Sequence, residues 1–293
     1  MHPDWLKTRL PSGENFNEIK GILHKEKLHT VCEEALCPNI GECFEQRTAT
    51  FLILGDICTR RCGFCAVKKG NPSGIYEDEP YRIAGAVKEI GLQYVVITSV
   101  TRDDLTDGGA SIYSRTLHAI RRAVKNCRIE VLIPDFRGNT EALEILLEAK
   151  PDVLNHNLET IPRLYSLVRP QADYFRSLKL LRHAHEKMPA LIIKSGMMLG
   201  IGEEWNEILD TMLMIRSTGC GILTLGQYLK PTKNALPIQR YYTPDEFELL
   251  RAEGKRMGFQ HVESGPLVRS SYHAKTQSDI LFLQEGETIR CYE

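Results

Sequence analysis

Three cysteines fall within eight residues in the stretch CTRRCGFC, where Cys58, Cys62 and Cys65 are spaced C-x3-C-x2-C. Structural zinc normally takes four protein ligands, and neither a histidine nor a further cysteine follows at a finger-like distance. An iron–sulfur cubane has four irons and can leave one to a substrate or cofactor, so three thiolates are what an open-site cluster needs. A zinc knuckle completed by a distant ligand is the competing reading. A second stretch, CEEALCPNIGEC, spaces Cys32, Cys37 and Cys43 as C-x4-C-x5-C, again without an evident fourth ligand. Structural zinc or ordinary core thiols compete with a second metal centre there.

The remaining chain must position these groups. Its 293 residues, 42% of them hydrophobic, suffice for one large α/β barrel or two smaller domains. The formal net charge of −1 advertises neither nucleic acid nor an anionic membrane as the main partner. The opening stretch MHPDWLKTRLPSGENFNEIK lacks the apolar run of a signal peptide, and no later segment approaches a membrane span. A soluble, cytoplasmic chain is expected, monomeric by default. Six of its nine cysteines bunch between residues 32 and 65, which in a reducing compartment speaks for metal or redox chemistry over disulfides.

After residue 50, short β-rich runs alternate with amphipathic helical ones. The expected strands are 51–57, 94–99, 129–134, 152–160, 190–199 and 221–229, with helices near 79–91, 111–126, 140–149, 173–187, 204–218 and 244–257. Six such units imply a parallel sheet with right-handed crossovers, either open or closed into a barrel. In both cases the ligand site belongs at the carboxyl ends of the strands. Polar residues gather at those ends, in TSVTRDDLTDGGA, NHNLET, KSGMMLGIGEE and GQYLKPT.

With Phe64 in the aromatic position, CTRRCGFC resembles the C-x3-C-x-aromatic-C hallmark of the radical S-adenosylmethionine superfamily. The second cysteine group some fifteen residues upstream, RSSYHA near the C-terminus, and CPNIGECF, DEPYRIA, NHNLET and GPLVRSSYHA together resemble the lipoyl synthase family over most of the chain. That resemblance implies an α/β partial (β/α)6 TIM-like barrel over 51–260, flanked by an N-terminal extension over 1–50 and a C-terminal one over 261–293. It also implies two 4Fe-4S clusters and S-adenosylmethionine as cofactors. Cys58, Cys62 and Cys65 would hold the radical-generating cluster. Cys32, Cys37 and Cys43 would hold an auxiliary cluster that donates sulfur, completed by a serine of Arg269-Ser270-Ser271-Tyr272, with Ser271 preferred to Ser270. Serine oxygen is harder and more basic than thiolate, and an iron bond releasable by protonation suits a cluster that comes apart. The competing reading is that both serines only turn the chain.

The implied reaction is a sulfurtransferase reaction, insertion of sulfur at C6 and C8 of an octanoyl chain on a lysine of a lipoyl carrier domain. The carrier would be the E2 subunit of a 2-oxoacid dehydrogenase or the H protein of glycine cleavage. Flavodoxin or ferredoxin would supply electrons, and iron–sulfur assembly or carrier proteins the clusters. Candidate contacts to cofactor or substrate at the strand ends are Phe64, Thr98, Ser99, the Arg102–Asp104 loop, Asn155, Glu159, Lys194, Met198, Gln227 and Tyr228. Arg169 is a candidate for holding cluster or cofactor, while His156 reads equally as a packing histidine. Arg60, Arg61, Lys68 and Lys69 would form a basic rim for an acidic carrier. Cys127, Cys220 and Cys291 have no partner spacing and read as incidental thiols. The alternatives are a biotin-synthase-like sulfur-inserting enzyme and, from another class, an iron–sulfur electron carrier or zinc-binding interaction module.

Overall fold

A computed structural model describes residues 3–7 and 12–279, so Cys291 lies outside the described residues. The strands are β1 (His29–Thr30), β2 (Thr50–Ile53), β3 (Ile57–Cys58), β4 (Lys68–Lys69), β5 (Tyr94–Ser99), β6 (Arg128–Leu132), β7 (Val153–Asn155), β8 (Ile192–Leu199), β9 (Ile222–Gln227) and β10 (His261–Gly265). One sheet runs β1-β2-β5-β6-β7-β8-β9-β10, and β3 pairs with β4 apart from it. Every pairing from β2 to β10 in the large sheet is parallel, whereas β1 joins β2 antiparallel. β1 and β10 are its two edges, which makes the barrel a partial one.

The composition of the strands explains this arrangement. Tyr-Val-Val-Ile-Thr in β5 and all six residues of β9 are buried, the near-continuous pattern of parallel strands covered on both faces. Crossover helices such as Glu79–Ile90 and Ala110–Ala123 turn Ile83, Val87, Leu117 and Ile120 onto the sheet. Gly91 closes the first of these with φ 79°, a left-handed position that glycine occupies without strain. Thr243 and Glu246 form a capping box ahead of Pro244–Arg256, with proline at its first turn.

Two differences from the sequence expectation have physical reasons. The run 51–57 divides, because the chain leaves the sheet after Ile53 and takes the separate β3–β4 pair around the Cys58–Cys65 stretch. The seventh parallel strand, β10, is a short alternating run, HVESG, whose polar positions disguised it.

Below the strand ends the interior is closed by a polar cluster. Lys194 and Glu130, both fully buried, pair at 3.1 Å. Asn155 Nδ2 donates to Glu130 Oε1 at 3.0 Å, and the Tyr94 hydroxyl donates to Oε2 at 2.7 Å. Removing one partner of a buried ion pair leaves an uncompensated charge. Lys194→Met is therefore expected to lower stability by about 3–5 kcal/mol, read from the denaturant midpoint. A midpoint unchanged from the parent would show the pair to be dispensable. Residues 274–279 are helical and descend past this cluster, with Ala274 packed on Tyr94 and Val96 and Asp279 paired with Arg128 at 2.5 Å. Among the described residues no helix is long and apolar enough to cross a membrane.

Candidate functional site

The stretch carrying Cys58, Cys62 and Cys65 is sewn into the strand-end loops by main-chain hydrogen bonds. Thr59 N–H donates to Thr101 O at 3.0 Å, Gly63 N–H to Val168 O at 2.9 Å and Leu236 N–H to Gly63 O at 3.0 Å. The Cys58 sulfur accepts N–H bonds from Arg60 at 3.4 Å and Thr101 at 3.3 Å, donors suited to a thiolate. Burial pushes the Cys65 thiol up to about 11, and the neighbouring Cys62 and Cys58 charges add to that rise. Cys62 is likewise raised by burial, with the charge of Cys58 adding to it and that of Arg169 opposing it. Loading a metal on these thiols would expel their protons.

The upstream group sits across a cavity of about 410 Å³. Thr30 caps the helical turn Val31–Glu34, which buries Cys32, and the helix Ile40–Glu45 presents Cys43. Cys32 is pushed far up by burial and by the charges of Cys37 and Cys43. Burial with the Cys37 charge takes Cys43 to about 12. Cys32, Cys37, Cys43 and Cys65 all line the cavity, together with Ser270 and Ser271. The RSSY loop reaches it because β9 offers no side chain at Gly226, where a Cβ would lie 2.0 Å from Val268 O. Asn39 Nδ2 ties the upstream segment to that loop through Leu267 O at 2.7 Å.

Of the candidate contacts, Phe64, Glu159, Gln227, Tyr228 and Met198 line the cavity, whereas Thr98, Ser99, Asn155, Lys194 and the Arg102–Asp104 loop lie off its wall. Asn155 and Lys194 serve the Glu130 cluster one layer lower. Thr98 Oγ1 donates to Leu132 O at 2.9 Å, and Arg102 forks onto Asp104 and donates to Gly74 O. Gln227 spends its amide on the Tyr228, Arg240 and Tyr242 main chain, and the Tyr228 hydroxyl bonds Leu236 O, so both brace the overlying loop. Glu159 holds a left-handed φ of 72° between main-chain bonds from Glu159 N–H to Gly196 O and from Met198 N–H to Glu159 O, a strained position of the kind found at functional sites. Burial raises its carboxyl, which Arg169, Asn157 and Arg269 oppose.

Three residues gain weight from the geometry. Asn157, two residues beyond Asn155, lines the cavity, and the two-residue alternation of NHNLET was the signal for it. Arg269 is half-buried, its positive form disfavoured by desolvation but supported by the charges of Cys37 and Glu159. Arg169 donates to Asn157 O at 2.8 Å and to the Tyr165 hydroxyl at 2.9 Å. His156 is buried with Nδ1 2.8 Å from Ile133 O, and burial together with the Arg169 charge pushes it down to about 4.

The basic rim needs correction. Arg60 is only 3% exposed and points inward, binding Asp103 with Nε at 2.7 Å and Asp135 with Nη2 at 2.5 Å. Burial alone would raise Asp135, but the Arg60 hydrogen bond and charge hold it down to about 2. Lys68 pairs with Asp56 at 2.5 Å. Arg61 and Lys69 remain exposed, joined by Lys230 and Lys233 on the loop bonded to Gly63. Cys127 and Cys220 are buried core thiols.

The family model of the radical SAM superfamily matches residues 52–215, and that of the N-terminal domain of lipoyl synthase matches 1–37. A lipoyl synthase of Rubrobacter xylanophilus is 57% identical over 277 residues, 94% of this chain and 86% of the relative. The chain belongs to the lipoyl synthase family. A second relative, the lipoyl synthase of Symbiobacterium thermophilum, is 55% identical over 276 residues, covering 94% of this chain and 86% of its own. The activity that goes with the family is sulfur insertion by radical S-adenosylmethionine chemistry. Solved structures share the partial-barrel fold. Methylornithine synthase superposes with a TM-score of 0.54 at 13% identity over 85% of this chain and 81% of its own. The FeFe-hydrogenase maturase HydG of Carboxydothermus hydrogenoformans does so with 0.56 at 16% over 90% and 78%.

Proposed function

We propose that this chain makes the lipoyl group on a carrier domain, inserting sulfur at C6 and C8 of an octanoyl-lysine, with a cluster on each cysteine group. The observation that carries this reading is that both groups reach one cavity: Cys65 and Phe64 on one side, Cys32, Cys37, Cys43 and Ser271 on the other. S-adenosylmethionine and the two 4Fe-4S clusters supply one-electron cleavage, hydrogen-atom abstraction and sulfur when bound. The donor sets suit them: each group offers three thiols, one leaving a fourth iron site open and the other sharing its cavity with Ser271.

The chain's own work is binding, orientation and exclusion of water. Arg60 and Thr101 N–H groups steady the Cys58 thiolate. Asn157 carries a buried Oδ1 without a partner beside Gly196, an acceptor suited to a hydroxyl or ammonium of the cofactor. Glu159 provides a carboxylate next to it. Leu132, Met197, Met198 and Val31 offer the apolar wall that an eight-carbon arm requires. The Ser270 hydroxyl is engaged by Asn157 at 2.7 Å, so Ser271 is the serine that would hold the auxiliary cluster as its oxygen ligand. Arg269, beside Cys37, balances the thiolate charge.

Anaerobic reconstitution should give about eight irons per chain as two 4Fe-4S clusters. Reduced protein given S-adenosylmethionine and an octanoyl-lysine peptide should yield 5′-deoxyadenosine and a peptide heavier by two sulfurs. Tightly held zinc without iron would sink the reading.

The folded partner would dock on the exposed Arg61, Lys69, Lys230 and Lys233, of which Lys230 lines the cavity. Changing all four to Glu should raise KM for an intact acidic octanoyl-carrier domain by roughly tenfold while sparing an octanoyl peptide. Equal KM values for the carrier before and after would remove the docking assignment. Reduction by flavodoxin or ferredoxin and cluster delivery by assembly proteins complete the proposed cycle.

A further inference from the structure

Asn157 stands where the two halves of the site touch. Its Nδ2 donates to Ser270 Oγ at 2.7 Å and to Glu159 Oε1 at 3.1 Å, and its carbonyl accepts from Arg169 at 2.8 Å. A carboxylate accepts only, so the Glu159 contact fixes which end of the amide carries the hydrogens. The other end, Oδ1, is buried without a partner, and a Cβ added to Gly196 would lie 3.1 Å from it. An orphaned acceptor is held at a cost of about 1–3 kcal/mol, which a donor from a bound ligand removes. Donation into Oδ1 also polarises the amide and strengthens the Nδ2–H bond on its far side. That bond ends on Ser270, next to Ser271, and Arg269 on the other flank lies within the charge field of both Cys37 and Glu159.

We propose that Asn157 is a positioning residue that couples the two centres: a ligand in the S-adenosylmethionine site, by donating to Asn157 Oδ1, tightens the RSSY loop and with it the hold of Ser271 on the auxiliary cluster. The inference rests on the assignment of the two clusters given above. Linkage makes the coupling reciprocal, so protein lacking the auxiliary cluster binds S-adenosylmethionine more weakly by the same factor.

The test uses fully loaded, unreduced protein, in which S-adenosylmethionine binds without being cleaved. Amide hydrogen exchange is followed by mass spectrometry on a peptide spanning residues 266–276, and cofactor retention is measured by equilibrium dialysis on the same samples. Saturating S-adenosylmethionine is expected to slow exchange of that peptide about fivefold, the size of a coupling near 1 kcal/mol. Ser270→Ala should retain the cofactor and lose the slowing, whereas Ser270→Thr, which keeps the hydroxyl, should recover it. Slowing of equal size in parent and Ser270→Ala, or none in a parent that retains the cofactor, overturns the coupling. Failure of the loaded parent to retain S-adenosylmethionine or to hold both clusters overturns instead the assignment on which it rests.

Discussion

Cys58→Ala should abolish S-adenosylmethionine cleavage while leaving the barrel folded. Cys58 is partly exposed at the end of a two-residue strand, so losing its sulfur opens no core cavity. The surrounding stretch keeps its anchors, because the bonds to Thr101, Val168 and Leu236 are main-chain bonds that alanine leaves intact. What disappears is one of three ligands of the proposed electron-donating centre, and two thiolates do not retain a cubane. The reconstituted variant should carry about four irons instead of about eight. No 5′-deoxyadenosine should form under reduction, and far-UV circular dichroism should match the parent. Cofactor cleavage at the parental rate would take the radical chemistry away from this cysteine group.

Cys32→Ala separates the two centres from the other side. Cys32 is 7% exposed and packs in the main core, so some stability is lost with it. The Cys58–Cys65 stretch lies on different elements with its own anchors and should load normally. This variant should still convert S-adenosylmethionine to 5′-deoxyadenosine in the presence of octanoyl peptide, and the peptide should gain no sulfur. A doubly thiolated peptide from Cys32→Ala would overturn the division between radical generator and sulfur donor.

How far the chain could be read unaided depended on the range of the interaction. The six cysteines could be sorted into two groups from residue type and short spacing alone, whereas the RSSY motif stood out only through the family resemblance. Most barrel strands were legible because fully buried parallel strands are apolar runs. Asn155 and Lys194 were placed at the mouth because they open the polar runs NHNLET and KSGMMLGIGEE, but Lys194 is only the third residue of β8 and the partner of both is Glu130, at separations of 25 and 64 residues. Arg60 counted as a surface charge until Asp103 and Asp135, on two other loops, came up beside it. Asn157 was passed over for Asn155, although it lies two residues past the end of β7 and lines the cavity. No local signal foretold that Ala274 would pack on Tyr94 and Val96.

The two cysteine-bearing stretches are fastened in different ways. The Cys58–Cys65 stretch is bonded through its main chain to three separate loops of the barrel. The Cys32–Cys43 segment has main-chain bonds within itself, Cys37 N–H to Cys32 O at 3.0 Å and Cys43 N–H to Asn39 O at 2.9 Å, and its side-chain tethers from Asn39 to Leu267 and from Glu42 to Tyr272 and His273 all end on one loop. Regions fastened by few long-range bonds open at lower free energy than the framework around them. On the proposed chemistry, the compartment that is consumed is also the one cheapest to open for repair, so a spent molecule can be recharged without dismantling the part that starts each round.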